Sequence, residues 1–130
     1  MSTPLDHIPF ARLLGIVQES GGAGRSACTL PLRPDLLNSI GMAHGGLTFT
    51  LADTCMGAAM RSLLAEDERA VTVEIKMNYL QPARDGVLRS DSVVVHRGRL
   101  LANVESRIRC GDALVATANG TFAVRRAAGR

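Results

Sequence analysis

The sequence predicts an α+β fold, an antiparallel sheet of five or six strands packed on one long helix, and three observations carry the prediction. From about residue 45 to 65, apolar residues recur at helical spacing, as in Leu47, Leu51 and Ala58. Beyond that run Val71, Val73, Ile75, Met77 and Tyr79 alternate with Thr72, Glu74, Lys76 and Asn78, the period of a half-buried strand. Short strands precede the helix and long ones follow it, which suits a sheet carrying its helix on one face and differs from the βαβ alternation of a parallel sheet. The 130 residues fit a single domain, 1–130.

Taken in order, a short amphipathic helix is expected over about 7–14, stopped by Gly15. Ile16 to Leu32 reads as two short strands around the turn Gly21-Gly22-Ala23-Gly24, and Pro31 and Pro34 end regular pairing. The loop Asp35 to Ala43 leads into the central helix, expected over about 45–65. Glu66-Asp67-Glu68-Arg69 reads as a solvated connection, and Pro82 closes the alternating strand after it. Strands over Val87 to His96, Leu100 to Arg109 and Ala113 to Val124 complete a four-stranded meander, turning at Arg97-Gly98-Arg99 and Cys110-Gly111-Asp112. Residues 125–130 read as a frayed tail.

Composition narrows the functional classes. Trp is absent and aromatics are only 3%, so an aliphatic core is expected, one small enough to gain from pairing with a second copy. A net charge of +3, from fourteen Arg and one Lys, suits an anionic partner. Arg forks match the phosphates of a small molecule, whereas nucleic acid wants stacking platforms that this chain lacks. No nucleic-acid partner is therefore expected. Cys28, Cys55 and Cys110 are odd in number and lack metal-ligand spacing, which argues for a reducing, cytoplasmic setting without disulfides or zinc. The opening MSTPLDHIPFARLLG lacks the apolar stretch of a signal peptide, and no run reaches the roughly eighteen apolar residues of a membrane span.

One helical residue stands apart. Asp53 is the only charged residue between Gly45 and Met60, and no cation lies four positions away to make it an ordinary surface pair. A carboxylate in such surroundings suits a general base on water or a nucleophile; a structural Asp bonded to backbone or hydroxyl is the alternative. The Gly45-Gly46 pair opens the helix, where unpaired N–H groups and a partial positive charge can hold a developing oxyanion, or where glycine simply allows tight packing. His44 and Cys55 do not form a nucleophile and base, because eleven residues of helix separate them by about 16 Å along the axis. His44 reads as a capping residue and Cys55 as a small buried one. Asp, Glu and His residues do not cluster at ligand spacing, so no metal is expected.

Asn38, the His44-Gly45-Gly46 opening, Asp53, the strand Thr72-Val73-Glu74 and the exit Tyr79-Leu80-Gln81-Pro82-Ala83 occur in an order and spacing that resembles the hotdog-fold acyl-CoA thioesterases of the phenylacetate-pathway (PaaI-like) type. The likeness runs from about Leu36 onward. It implies a sheet wrapped around the helix, an acyl-CoA substrate, no cofactor beyond the coenzyme A of the substrate, and homodimers that pair into tetramers. It also implies that Gly45 and Asn38 polarise the thioester carbonyl, that Asp53 activates water, and that Thr72 orients it. Asn before a helix is also a common turn residue, and Thr a good strand former. His44 and Gly46 would line the substrate site. Basic turn residues, Arg97-Gly98-Arg99 first and Arg84 second, would meet the phosphates.

Helix geometry adds a condition. Gly45 and Asp53 are eight residues and about 12 Å apart along the axis, too far for one carbonyl to meet both. A twofold axis near Phe49 would set Asp53 of one protomer level with Gly45 of the other, so the site is expected to be composite. A domain that binds acyl-CoA without cleaving it is the alternative. A hotdog hydratase would need a His–carboxylate pair that this helix does not hold.

Overall fold

Positive φ values at Ala23 and Gly24, 55° and 79°, turn the chain back on itself in a two-residue hairpin between β2 (Val17–Gly22) and β3 (Arg25–Pro31). Before it come β1 (Thr3–Pro4) and helix α1 (Pro9–Leu14), the latter stopped by Gly15 in the left-handed conformation. The computed structural model describes residues 3–126. After a 3-10 turn at Pro34–Leu36 comes helix α2 (Gly45–Arg61), and then β4 (Glu68–Tyr79), β5 (Val87–Arg97), β6 (Leu101–Cys110) and β7 (Ala113–Arg126).

These strands make one antiparallel sheet in the order β1-β2-β3-β5-β6-β7-β4, wrapped around α2. Six of them are long and β1 has only two residues. The expected four-stranded meander is corrected here, since β4 pairs with β7 and not with β5. The cause is the connection after Tyr79, too long for a hairpin and containing Pro82. It crosses the start of α2, anchored by Leu80 N–H to Val115 O (2.8 Å) and Ala43 N–H to Ala83 O (2.7 Å).

Three boundaries also shift. Helix α2 ends at Arg61, short of 65, where the Ser62 hydroxyl donates to Ala59 O (2.7 Å) and accepts from Gly24 N–H (2.8 Å). Glu68 and Arg69 belong to β4, and Glu68 is ion-paired with Arg97 at 2.7 Å, not left in solvent. Arg125 and Arg126 are strand residues paired with Arg69 and Glu68; the rest of the expected tail lies outside the described residues.

The core lies between α2 and the concave face of the sheet. Leu51, Met56 and Met60 from the helix meet Leu30, Leu88, Val104 and Ile108, all fully buried. Small residues let the helix approach closely. Ala52, Cys55 and Ala59 are 0% exposed, and Ser26, Ser90, Ser92 and Ser106 form a buried hydroxyl seam beneath them. The single Cys55 S–H is shared between Ser90 O (3.2 Å) and Ser26 O (3.3 Å), so the thiol finds its acceptors inside this seam. Leu51→Ala is expected to cost about 2–5 kcal/mol, read as a lowered urea midpoint at unchanged slope, because so tight an interface cannot collapse around the void.

Candidate active site

Asp53 sits mid-helix, half-buried, on the flank of α2 that faces β4. Thr72 Oγ1 donates to its Oδ1 at 2.7 Å, while Oδ2 accepts no protein hydrogen bond among the described residues. That meeting depends on an irregularity in β4. Register shifts between Thr72 and Glu74, so Val73 is an extra residue against β7. Plain alternation places Thr72 on the face opposite Ile75 and Met77. The bulge reverses the phase and turns Thr72 toward the helix, leaving Val71 and Val73 exposed on the sheet edge.

At the N-terminus of α2, His44 is the cap. Its Nδ1 accepts from Gly46 N–H at 2.9 Å, so Nε2 carries the proton of the neutral ring, and its carbonyl accepts from Leu47 N–H (2.9 Å) and Thr48 N–H (3.3 Å). The Gly45 N–H is left with no protein acceptor among the described residues. Neither Gly45 nor Gly46 has a positive φ, so the pair is there for space and not for unusual backbone. A Cβ on Gly45 would stand 3.4 Å from the ring and hydroxyl of Tyr79, and one on Gly46 only 3.1 Å from His44 Nδ1.

Asn38 is a turn residue with one donor to spare. Its Oδ1 accepts from Ile40 N–H and Met42 N–H, both at 3.0 Å, which braces the loop before the helix and fixes the orientation of the amide. Its Nδ2 then remains as a donor with no protein acceptor among the described residues. Asn38 and Gly45 line one cavity of about 370 Å³, closed by Thr48, Tyr79 and the crossover residues Leu80 to Ala83. Two residues whose amide donors have no protein acceptor among the described residues thus line one cavity, and donors of this kind can stabilise a carbonyl oxygen that gains charge.

The basic turn lies elsewhere. Arg97 is committed to Glu68, whose carboxyl is held below the usual carboxylate range first by the Ala65 N–H and then by Arg97. The Gly98 N–H closes the turn on Leu101 O at 2.8 Å, Arg99 is exposed, and none of the three lines the cavity beside Gly45. Arg84 reaches back to Ile40 O at 3.4 Å. Both Cys28 and Cys55 are 0% exposed, with no route to a substrate.

Spacing does not single out Tyr79 as a site residue, although it is the one tyrosine in the chain. Its hydroxyl donates to Gly45 O at 2.7 Å and holds the helix start against the end of β4. The crossover roof is equally illegible in the sequence, because its place depends on β4 joining the far edge of the sheet.

Residues 40–117 match the model of the Thioesterase superfamily. The fold is similar to that of the conserved protein PA5202 from Pseudomonas aeruginosa, with a TM-score of 0.86 and 40% identity over 89% of this chain and 93% of that one. It is also similar to a point mutant of the phenylacetic acid degradation protein PaaI from Thermus thermophilus, with a TM-score of 0.82 and 27% identity over 88% and 97% of the two chains. Human acyl-coenzyme A thioesterase 13 is 38% identical over 80 residues, 59% of this chain and 55% of that protein. The match to Pseudomonas aeruginosa PA0474 likewise covers 64% of that relative, less than two thirds of its length. With a family match over more than half its length, on a sheet wrapped around one helix that bears a lone carboxylate, this chain belongs to the thioesterase superfamily.

Proposed function

We propose that the protein is an acyl-CoA thioesterase, acting in the cytoplasm on an aromatic, phenylacetyl-type or medium-length acyl group without a metal or organic cofactor. The hydrogen bond from Thr72 to Asp53 carries the reading, because it fixes one carboxylate oxygen and leaves the other to water. The thioester oxygen lies against Gly45 N–H and Asn38 Nδ2 of one protomer. Asp53 Oδ2 of the partner subunit takes a proton from water as the water oxygen bonds to the carbonyl carbon, and the lone pairs of Thr72 Oγ1 orient that water. The oxyanion collapses, the C–S bond breaks, and the thiolate recovers the proton from the carboxyl. The acid and coenzyme A leave.

The composite site requires a homodimer, and we assign a dimer of dimers as the full assembly. The exposed edge of β4, with Val71 and Val73 50% and 56% accessible, supports pairing with a second copy. Two differently tagged variants test this. Chains carrying Asp53→Asn should be near inactive as homodimers, and so should chains carrying Gly45→Pro. Mixed dimers purified through both tags should recover about half the wild-type rate, because one of the two shared sites is then intact. Mixed dimers as inactive as their parents would sink the composite site.

A further inference from the structure

We infer that this site selects acyl groups bearing a carboxylate at the far end, and that Arg61 reads it; the inference rests on the thioesterase reading above. A cavity of about 420 Å³ opens between the C-terminal half of α2 and the start of β4, with Gly57, Arg61, Leu64 and Ala70 among its walls. The Asp53–Thr72 pair is not among its walls but neighbours them along both elements. Gly57 follows Asp53 by one helical turn, and Ala70 precedes Thr72 on the same face of β4. A Cβ on Gly57 would meet nothing within 4 Å, so the helix wall is bare where an acyl group would leave the carbonyl.

The outer end of the cavity carries the charge. Arg61 shares the helix face of Asp53 and Gly57, and its guanidinium has no acceptor among the described residues. Its neighbours are committed. Arg69 Nη1 donates to Glu68 O (2.9 Å) and Glu66 O (3.3 Å), and the one carboxylate on the wall, Glu68, is held by Arg97 and by Ala65 N–H. On its other side Arg61 borders a groove containing Glu19, whose Oε2 accepts from Thr29 at 2.7 Å. A cavity with small and aliphatic residues on its inner wall thus presents, in Arg61, an exposed guanidinium with no carboxylate partner among the described residues, the group best suited to a carboxylate fork.

Length separates the acyl end from the coenzyme. Asp53 and Arg61 are about 12 Å apart along the helix. Subtracting roughly 6 Å of Arg side chain leaves about 6 Å, the length of a short chain of five or six carbons or of one ring. The first phosphate of coenzyme A lies a dozen or so bonds from the sulfur, roughly 16 Å when extended, and overshoots this span.

Thiol release from adipoyl-CoA and from hexanoyl-CoA, equal in chain length and differing in the terminal carboxylate, tests the assignment. Wild-type kcat/KM should favour adipoyl-CoA by about tenfold or more, and Arg61→Gln should bring the ratio to about one by lowering the adipoyl value. A wild-type ratio at or below one would overturn the inference. So would a ratio that survives in Arg61→Gln while both rates fall, since the guanidinium would then be serving the coenzyme common to both. No thiol release from either compound, or from phenylacetyl-CoA, would instead overturn the thioesterase reading itself.

Discussion

Asp53→Asn is expected to lower kcat for acyl-CoA hydrolysis by about 10²–10⁴-fold while leaving the fold and its melting temperature nearly unchanged. The amide is isosteric, and Thr72 can still donate to its oxygen, so the 2.7 Å contact between helix and β4 survives. What is lost is the acceptor of the water proton, because an amide nitrogen in place of Oδ2 offers hydrogen and takes none. KM should change little, since in the proposed mechanism the carboxylate acts on water and not on the thioester in the ground state. Thiol release measured at saturating substrate, beside circular dichroism of the same sample, decides the matter. A variant that kept wild-type turnover would remove Asp53 from the chemistry and favour a domain that binds acyl-CoA without cleaving it. A variant that unfolded would make the carboxylate structural, the alternative with which the Thr72 hydrogen bond is also compatible.

How much of this was legible in the residues differs by element, for physical reasons. The helix was visible because its periodicity is local, and Asp53 stood out because its neighbours along one face are apolar. The start at Gly45 was recoverable from the Gly-Gly pair; the end was not, because Arg61 gives way to a Ser62 cap whose hydroxyl partner, Gly24, is distant in sequence. The alternation of β4 was real, but the bulge at Val73 inverts the assignment of faces, and a bulge leaves no mark on alternation until a partner strand is known. Family resemblance singles out Thr72, and period does not. Pairing order is non-local, so the move of β4 to the far edge, and with it the roof over Gly45, could not be read from spacing. The turn 97–99 shows the converse. Arg97 and Glu68 are far apart along the chain and only the folded sheet pairs them, while Arg99 stays exposed.

Gly45→Pro should lower kcat by about 10²–10³-fold, the effect of deleting one oxyanion donor, with α2 intact. Proline is normally a helix breaker, yet Gly45 is the first residue of α2, where a missing N–H breaks no helical bond and a fixed φ is already suitable. The preceding residue is compatible too: His44 has φ −62° and ψ 136°, the extended conformation that a following proline requires. The substitution therefore removes the one helix-start N–H that has no protein acceptor among the described residues, and little else of the backbone. Steric obstruction is the competing cause, because the ring would approach Tyr79, where even a Cβ stands 3.4 Å away. Gly45→Ala separates the two, since it adds that Cβ and keeps the N–H. If the donor matters, Ala retains most of kcat and Pro loses it, with KM similar in both. Equal losses in Ala and Pro would instead make Gly45 a residue of shape alone, admitting the thioester beside Tyr79 and leaving Asn38 Nδ2 as the donor to its oxygen.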